Sequence, residues 1–298
     1  MALRLGLLLF LFTLCGTGDH LAEKVKMRNP PAPGYNLSAP DKIYLLPMIL
    51  YEISGLTAID ASTVACVQDE YGIVFFFDLN EGSIGRTLVF GAEGDYEDLA
   101  RAGGTMYVMR SDELLVEIQN FVSEHFKAEA YEARIPGSNI ESLCFDRSKE
   151  RLLMMPREAS HNDKLDKDER FVYAFNIKTG EVKEEPVLSL DIKQIEKFAV
   201  DYNVDVPMKG KKGKKKPDIS LKPSAMAINP VTGRLFILDS PERLLFIFDM
   251  NGNIEWLEKL DKDLFPQPEG ITFMSNGDML ISNEGRGKEA TLLRFNYN

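Results

Sequence analysis

Glutamate recurs at the start of similar short apolar segments along this chain of 298 residues. The segments begin with EISGL, YEDL, IESL and PEGI, and their glutamates are Glu52, Glu97, Glu141 and Glu269. A fifth segment, PSAM, has Ser224 in the corresponding place. Glutamate is a poor strand former, so its recurrence at the start of apolar strands needs a structural or a chemical reason.

A second group of polar residues follows, at the end of the next apolar run in each repeat. Its members are Glu70, Ser111, Arg157, Ser240 and Glu284, with Asp69, Arg110, Asp239 and Asn283 beside them. If both groups face one space, two carboxylates about 8 Å apart repel by roughly 2 kcal/mol at an effective dielectric constant of about 20. Such repulsion raises a carboxyl pKa, recruits a cation or draws in arginine side chains.

We predict a ligand-binding channel from these two groups. The residues expected to line it are Glu52, Glu97, Glu141, Glu269, Glu70, Glu284, Arg110 and Arg157. The residues expected to hold a divalent cation, with Ca²⁺ as the expected cofactor, are Glu52, Glu97, Glu141, Glu269 and Asn283. Arg110 and Arg157 would neutralise part of the charge or hold an anionic ligand. The alternative is structural: each glutamate accepts backbone N–H bonds and keeps neighbouring repeats in register.

The spacing of the segments indicates the fold. They start at 52, 97, 141, 224 and 269, so three of the four intervals are 44 or 45 residues and one is 83. A further apolar run follows each start, at 73–79, 114–118, 171–177, 244–250 and 291–295. Four strands in about 44 residues are typical of a β-propeller blade. We therefore predict an all-β, six-bladed β-propeller whose weakest blade spans 180–222, with five blades as the alternative.

The N-terminal region indicates how the chain is organised. Residues 1–18 combine Arg4 with an apolar run and small residues, which is the pattern of a signal peptide. A lipoprotein signal that anchors the chain to a membrane through Cys15 is the alternative. Residues 19–39 are expected to be a flexible linker and 40–298 the propeller domain. Within that domain, 41–47 is expected to add the outer strand to the last blade and close the ring.

A lysine-rich loop, MKGKKGKKKPD at 208–218, lies in the weak region, and a short helix is expected just before it at 192–200. The composition of the loop favours a solvated connection between blades; the sharper hypothesis is a tether to acidic lipid or another polyanion. The whole chain has a formal net charge of -11, which argues against nucleic acid as a partner. Cys66 and Cys144 lie in apolar strands and are expected to be buried thiols rather than a disulfide.

Several phrases resemble the SdiA-regulated family of secreted propellers. They are EISGL, QDEYG, SNEGR, GDYEDLA, KPSAMAINPVTGRLFILDS and FPQPEGITFMSNGDMLISNEG, and the resemblance covers residues 40–298. It implies export to the periplasm or cell envelope. It also implies a fold similar to propellers whose channels hold calcium, including lactonase and phosphotriesterase-like enzymes. We expect a non-catalytic binding or scaffold protein whose partner is a small ligand or an envelope protein. The alternative is a calcium-dependent hydrolase of a small ester, lactone or phosphoester.

Overall fold

Apolar runs rich in Ile, Val, Leu and Phe form the strands, because such side chains pack well on a pleated, half-buried surface. The computed structural model describes residues 32–158, 168–211 and 213–298. The predicted signal peptide at 1–18, with Cys15, and the first part of the predicted linker lie outside the described residues. None of the helices in the described part of the chain has the length and apolar content needed to cross a membrane.

The strands occupy nearly all of the repeats predicted from the sequence. The first twelve are β1 (Lys42–Leu45), β2 (Ile53–Ala58), β3 (Thr63–Gln68), β4 (Ile73–Asp78), β5 (Ser83–Val89), β6 (Tyr96–Ala102), β7 (Thr105–Arg110), β8 (Leu114–Gln119), β9 (Lys127–Glu132), β10 (Ser138–Asp146), β11 (Arg151–Glu158) and β12 (Glu169–Asn176). The rest are β13 (Glu181–Val182), β14 (Leu188–Asp191), β15 (Met208–Lys209), β16 (Lys216–Pro217), β17 (Ala225–Ile228), β18 (Leu235–Asp239), β19 (Leu244–Phe248), β20 (Ile254–Lys259), β21 (Pro268–Phe273), β22 (Met279–Asn283) and β23 (Thr291–Phe295).

These strands form five antiparallel blades. Blades 1 and 2 are β2-β3-β4-β5 and β6-β7-β8-β9, and blade 4 is β17-β18-β19-β20. Blade 3 is β10-β11-β12-β13, with β14 also paired to β12, and blade 5 is β21-β22-β23-β1. The innermost strands contact one another in the closed order β2, β6, β10, β17, β21 and back to β2. The propeller prediction is therefore confirmed with five blades, the stated alternative, and the preference for six was wrong.

The long interval between repeats holds an insertion instead of a sixth blade. After β13 and β14 the chain forms helix α1 (Ile192–Tyr202), as expected for this segment, and then the short hairpin of β15 and β16. Asp191 caps the helix by accepting the N–H groups of Lys193 and Gln194, and α1 packs against β20. The lysine-rich stretch supplies few apolar side chains, so it cannot build a sheet with two buried faces.

The ring is closed by strands from opposite ends of the chain. As predicted for 41–47, β1 pairs antiparallel with β23 and becomes the outer strand of blade 5. The described part of the predicted linker, 32–39, is not a free segment. Within it the buried Tyr35 hydroxyl donates to the Gly277 carbonyl at 2.6 Å and accepts from Asn229 Nδ2 at 2.6 Å. These residues therefore belong to the propeller and tie the N-terminal side to blades 4 and 5.

Apolar clusters fill the interfaces between successive blades, which is how the ring buries its core. Cys66 and Cys144 are buried free thiols, as predicted. One buried carboxyl also bridges two inner strands. Asp98 in β6 accepts the N–H of Leu143 in β10 at 2.7 Å and the N–H of Leu99 at 2.8 Å. This bridge fixes blade 2 against blade 3 beside the glutamates of interest.

Candidate ligand-binding channel

Three inner strands place a glutamate in a β-bulge. The pairing between the inner strand and its neighbour shifts at Glu97 in β6, at Glu141 in β10 and at Glu269 in β21. A bulge adds one residue to one strand and re-aims its side chain. Because the inner strands surround the axis in the same orientation, equivalent bulge residues lie on one ring near the N-terminal ends of these strands.

Blade 1 shows that the repeats must be aligned differently from the sequence prediction. Its irregularity lies between Ile53 and Leu56, and Ile53 pairs with Gln68 at the end of β3. The residue that corresponds to Glu97 is therefore Ser54. Glu52, the predicted member of the ring, lies two residues earlier and is exposed. Blade 4 also has a serine, Ser224, in this position, as predicted. The ring thus contains three glutamates and two serines, not four glutamates.

Backbone hydrogen bonds support this alignment in two blades. The N–H of Asp69 donates to the Glu52 carbonyl at 3.4 Å, and the N–H of Glu284 donates to the Gln267 carbonyl at 3.0 Å. Glu52 and Gln267 are therefore equivalent. Each lies two residues before the ring residue of its blade, nearer to the mouth of the channel. It also follows that Asp69, not Glu70, is the blade 1 member of the second polar group.

Glu70 is turned away from this group by a local turn. Its backbone N–H and that of Tyr71 both donate to the side-chain oxygen of Gln68. This arrangement fixes the turn after β3 and leaves Glu70 exposed. Glu70 therefore acts on the channel at longer range, as one of the charges that raise the pKa of Asp69.

The five carboxyl groups of Asp69, Glu97, Glu141, Glu269 and Glu284 are called the channel carboxyls below. Among them, Glu141 forms an ion pair with the side chain of Arg157. Arg157 Nη1 lies 2.7 Å from Glu141 Oε1 and 2.6 Å from Oε2, so one nitrogen bridges both oxygens. Burial nevertheless raises the pKa of Glu141 to about 7, against the lowering effect of Arg157. The predicted neutralising role of Arg157 thus has a direct contact behind it.

Glu269 is held by neutral donors instead. Ser240 Oγ donates to Glu269 Oε1 at 2.9 Å, which links blade 4 to blade 5, and Gln267 Nε2 donates to the same oxygen at 2.7 Å. Burial raises the pKa of Glu269, while these two hydrogen bonds and the nearby Arg157 oppose the shift. The serine and the glutamine therefore stabilise the ionised form at a site where burial disfavours it.

Glu97 lies where the negative charges converge. Its pKa is raised to about 9, first by desolvation and then by repulsion from Glu141, Asp95 and Glu269, with Arg157 acting in the opposite direction. A carboxyl with such a pKa keeps its proton at neutral pH and can donate a hydrogen bond. Glu97 is therefore a predicted residue whose protonation state is set by its place in the channel.

The remaining two channel carboxyls are Glu284, which belongs to blade 5, and Asp69, which belongs to blade 1. Desolvation raises the pKa of Glu284 to about 7, and Glu269, Asp69 and Glu52 add to the shift. Desolvation also raises the pKa of Asp69 to about 6, with repulsion from Glu52 next in size. Repulsion thus links Glu97 to Glu141 and Glu269, and Glu284 to Glu269 and Asp69, so the five carboxyls lie within electrostatic reach of one another.

Two other predicted residues make contacts away from the channel carboxyls. Arg110 forms an ion pair with Asp112 in the following turn at 2.7 Å. Asn283, a predicted metal ligand, is fully buried, and its amide nitrogen donates to Thr291 Oγ1 at 3.1 Å within blade 5. Both side chains therefore make these contacts within their own blades, and neither hydrogen-bonds to a channel carboxyl.

The predicted calcium ligands do not form a coordination shell as they stand. Glu52 is exposed and out of register, and Glu141 is bound to Arg157. The amide nitrogen of Asn283 donates to Thr291, and its buried Oδ1 has no hydrogen-bond partner among the described residues. Among the described residues no group of three or more His, Cys, Asp or Glu side chains is arranged to hold a metal ion. Calcium prefers six to eight oxygen ligands at roughly 2.3–2.6 Å, so these side chains would have to move to bind it. Calcium binding remains a prediction.

A separate cleft of about 270 Å³ lies between blades 1 and 2 and contains none of the channel carboxyls. Its cationic group, Arg86, has its guanidinium carbon 4.0 Å from the ring centre of Phe76 and donates to the carbonyls of Phe121 and Val122. Those contacts already occupy the guanidinium. We place the candidate site in the channel, where the five carboxyls lie.

Sequence reasoning placed Asp69 beside the second polar group but not in it, and it missed Ser54 and the bulges. The apolar residue before each bulge gives the signal that would have found them. Ile53, Tyr96 and Ile140 are all almost completely buried, and each precedes the ring residue by one position. Aligning the repeats on this apolar residue, rather than on the glutamate, puts Ser54 beside Glu97 and Glu141.

Comparison with known proteins supports the fold. The chain matches no protein-family model and has no significant match among curated proteins. A glutaminyl cyclase from Myxococcus xanthus superposes with a TM-score of 0.58 at 10% identity, covering 87% of this chain and 96% of that one. A streptogramin B lyase gives a TM-score of 0.45 at 11% identity, covering 86% of this chain and 97% of that one. The likeness to the cyclase, at 10% identity, concerns the fold alone, and nothing is concluded from the lower score of the lyase.

Proposed function

We propose that this chain is a non-catalytic binding protein of the cell envelope, of the SdiA-regulated type, whose acidic channel binds a small cationic ligand. The observation that supports this proposal is the convergence of five carboxyls on one region. Within the described residues, Arg157 is the one cationic side chain that hydrogen-bonds to any of them. Desolvation and, after it, repulsion from Glu141, Asp95 and Glu269 raise the pKa of Glu97 to about 9, and a bound cation would offset both effects.

The ligand class follows from how the carboxyls are arranged. Glu141 and Glu269 already accept hydrogen bonds from side chains. The carboxyl oxygens of Glu97, Glu284 and Asp69 are therefore the ones that can accept hydrogen bonds from a ligand. The N–H groups of an organic ammonium ion need acceptors at hydrogen-bond distance but no closed coordination shell. Such a ligand therefore suits carboxyls that lie near one another without forming a metal site. A small primary amine or diamine is therefore the favoured ligand, and calcium is the inorganic candidate.

The envelope location rests on the N-terminal sequence pattern, and Cys15 offers lipid attachment as the alternative mode of retention. The mass of the mature protein would distinguish a cleaved signal peptide from lipid attachment at Cys15. Cleavage after Gly18 gives a chain that begins at Asp19, whereas a lipoprotein begins at an acylated Cys15. A mature protein that still carries all of 1–18 without modification would contradict both forms of the proposal.

Thermal unfolding with added ligand tests the binding function. We would measure the melting temperature with millimolar calcium chloride, with 1,4-diaminobutane, with EDTA, and with sodium chloride at equal ionic strength. A ligand that binds only the folded state stabilises it by about 2.7 kcal/mol when its concentration is a hundredfold above Kd. We expect stabilisation by the diamine or by calcium beyond that of sodium chloride. Equal melting temperatures in all four conditions would rule out a cation-binding channel.

A matched pair of variants locates the site. Glu97→Gln removes the central channel carboxyl, whereas Glu129→Gln makes the same chemical change at an exposed position on the outer strand β9. Ligand stabilisation should be lost in the first variant and kept in the second. If both variants respond to the ligand as the unaltered protein does, the cation binds elsewhere.

One observation favours a second function, a hydrolase of a small ester, lactone or phosphoester for which calcium was the expected cofactor. Glu97 keeps its proton at neutral pH and could protonate a leaving group, while the neighbouring Arg157 could stabilise a developing negative charge. A screen of chromogenic esters and lactones tests this function. Turnover that disappears in Glu97→Gln and survives in Glu129→Gln would favour the enzyme over the binding protein.

A further inference from the structure

The insertion between blades 3 and 4 carries a concentrated positive charge on a chain that is otherwise acidic. Six lysines fall within residues 209–216, in a protein whose formal net charge is -11. The part of the insertion called the basic hairpin below comprises β15, β16 and the described residues between them, 210, 211 and 213–215. The described lysines of the hairpin, Lys209, Lys211, Lys214, Lys215 and Lys216, are all exposed.

The basic hairpin has a defined shape. Met208 pairs with Pro217 and Lys209 with Lys216, and the N–H of Asp218 donates to the Pro207 carbonyl at 2.9 Å. Gly210 has a φ of +125°, and a Cβ there would lie 2.5 Å from the Lys214 carbonyl oxygen. The backbone at this position therefore requires glycine.

Buried residues anchor the hairpin to the body of the propeller. Val206 and Ile219 flank it and belong to the apolar cluster that includes the buried face of α1, and Pro217 is itself buried. Residues of α1 also contact β16. The lysines therefore project from a supported platform and not from a free chain, so less conformational freedom is lost when they bind a surface.

Ion pairing accounts for little of this charge. Among the described residues, the ion pair recorded for the hairpin joins Lys209 to Asp218 at its base. Two large apolar side chains of the same insertion are also exposed, Met208 at 48% and Val200 on α1 at 45%. Exposed lysines next to exposed apolar side chains are typical of protein surfaces that rest on a bilayer.

We propose that the basic hairpin docks this protein on a bilayer that contains anionic phospholipids. The basic residues of 208–218 are all lysines, and the stretch contains no arginine and no aromatic residue. Recognition of nucleic acid relies heavily on arginine forks and aromatic stacking, whereas lysine clusters are attracted to the diffuse charge of anionic headgroups. The acidic body would be repelled by the same bilayer, which orients the protein with the hairpin towards the lipid.

Vesicle co-sedimentation tests this proposal on the full chain carrying Cys15→Ser, so that no lipid can attach. The vesicles would be phosphatidylcholine alone or phosphatidylcholine with one third phosphatidylglycerol. Each lysine at an anionic surface strengthens partitioning roughly fivefold. We expect binding to the anionic vesicles only, weakened by added salt because the attraction is screened. Equal partitioning to both vesicle types, or to neither, would overturn the proposal.

Two variants with equal charge changes locate the effect. The test variant replaces Lys211, Lys214, Lys215 and Lys216 by glutamine. The control variant replaces Lys149, Lys183, Lys262 and Lys288, which are exposed lysines elsewhere on the propeller. We expect partitioning to fall at least roughly tenfold in the test variant and far less in the control, with unchanged melting temperatures. Equal losses would show that net charge, not the hairpin, governs binding. Duplex RNA that binds while anionic vesicles do not would assign the hairpin to nucleic acid and overturn the proposal.

Discussion

Replacing Glu97 by glutamine should stabilise this protein, although the side chain is partly buried among the other channel carboxyls. The pKa of Glu97 is raised from 4.5 to about 9 in the folded state. The folded protein therefore keeps a proton that the unfolded chain releases, so the stability of the folded state is fully present below pH 4.5 and falls as the pH rises towards 9. Glutamine has no proton to lose, and the variant should not show this fall.

The size of the effect follows from the pKa shift. For a group fully shielded from solvent, each pH unit above 4.5 lowers the free energy of unfolding by about 1.4 kcal/mol. The loss at pH 7 is therefore at most about 3.5 kcal/mol. Solvent in the channel reaches Glu97, so we expect a gain of about 2 kcal/mol in the variant. At roughly 2–4 °C per kcal/mol, the melting temperature should rise by roughly 4 °C or more.

Urea unfolding in the presence of EDTA, at several pH values from acidic to mildly alkaline, measures this effect. The difference in the free energy of unfolding between Glu97→Gln and the unaltered protein should be near zero in acid and grow with pH. Glu129→Gln serves as the control, because hydrogen bonding to Lys127 lowers the pKa of this exposed glutamate instead of raising it. A constant difference across the pH range would point to altered packing and would refute the account of a shared carboxyl region.

Three further predictions concern the contacts that build the site. Arg157→Met should destabilise the fold by about 1–3 kcal/mol in chemical unfolding, because the buried Glu141 loses its cation, and adding Glu141→Gln should restore part of the loss. A loss unaffected by the second change would argue against the pair. Asp98→Ala should destabilise by about 2–4 kcal/mol, because the Leu99 and Leu143 N–H groups lose their acceptor; a value near zero would show that the bridge between blades 2 and 3 is dispensable. Tyr35→Phe should destabilise by about 1–2 kcal/mol through loss of hydrogen bonds to Gly277 and Asn229, and an unchanged urea midpoint would mean that residues 32–39 do not hold the ring.

The fold was predictable because each blade repeats one arrangement of buried strands. Apolar runs at 73–79 and 244–250 became third strands of their blades, and 41–47 closed the ring. The number of blades was not predictable from spacing, because an interval of 83 residues fits either a degenerate blade or an insertion. The structure shows an insertion, in which Asp191 caps a helix and only short strands follow.

The site was predictable only in outline. Convergence of Glu97, Glu141 and Glu269 followed from their recurrence, but the ring position of Ser54 depends on a bulge whose place is set by strand pairing. The contact between Arg157 and Glu141 likewise depends on the register of β10 against β11, which no local pattern in the sequence specifies. Long-range geometry thus decided which of the predicted residues act together.

The pH dependence of cation binding tests the central claim most directly. If a cation binds at Glu97, it must displace the proton that this carboxyl holds at neutral pH. Isothermal titration of 1,4-diaminobutane or calcium chloride, in two buffers of different ionisation enthalpy, measures the protons released on binding. We predict release of close to one proton per bound cation near pH 7 and tighter binding as the pH rises from 6 to 8. Binding without proton release and with a pH-independent Kd would contradict the claim that the channel carboxyls form the site.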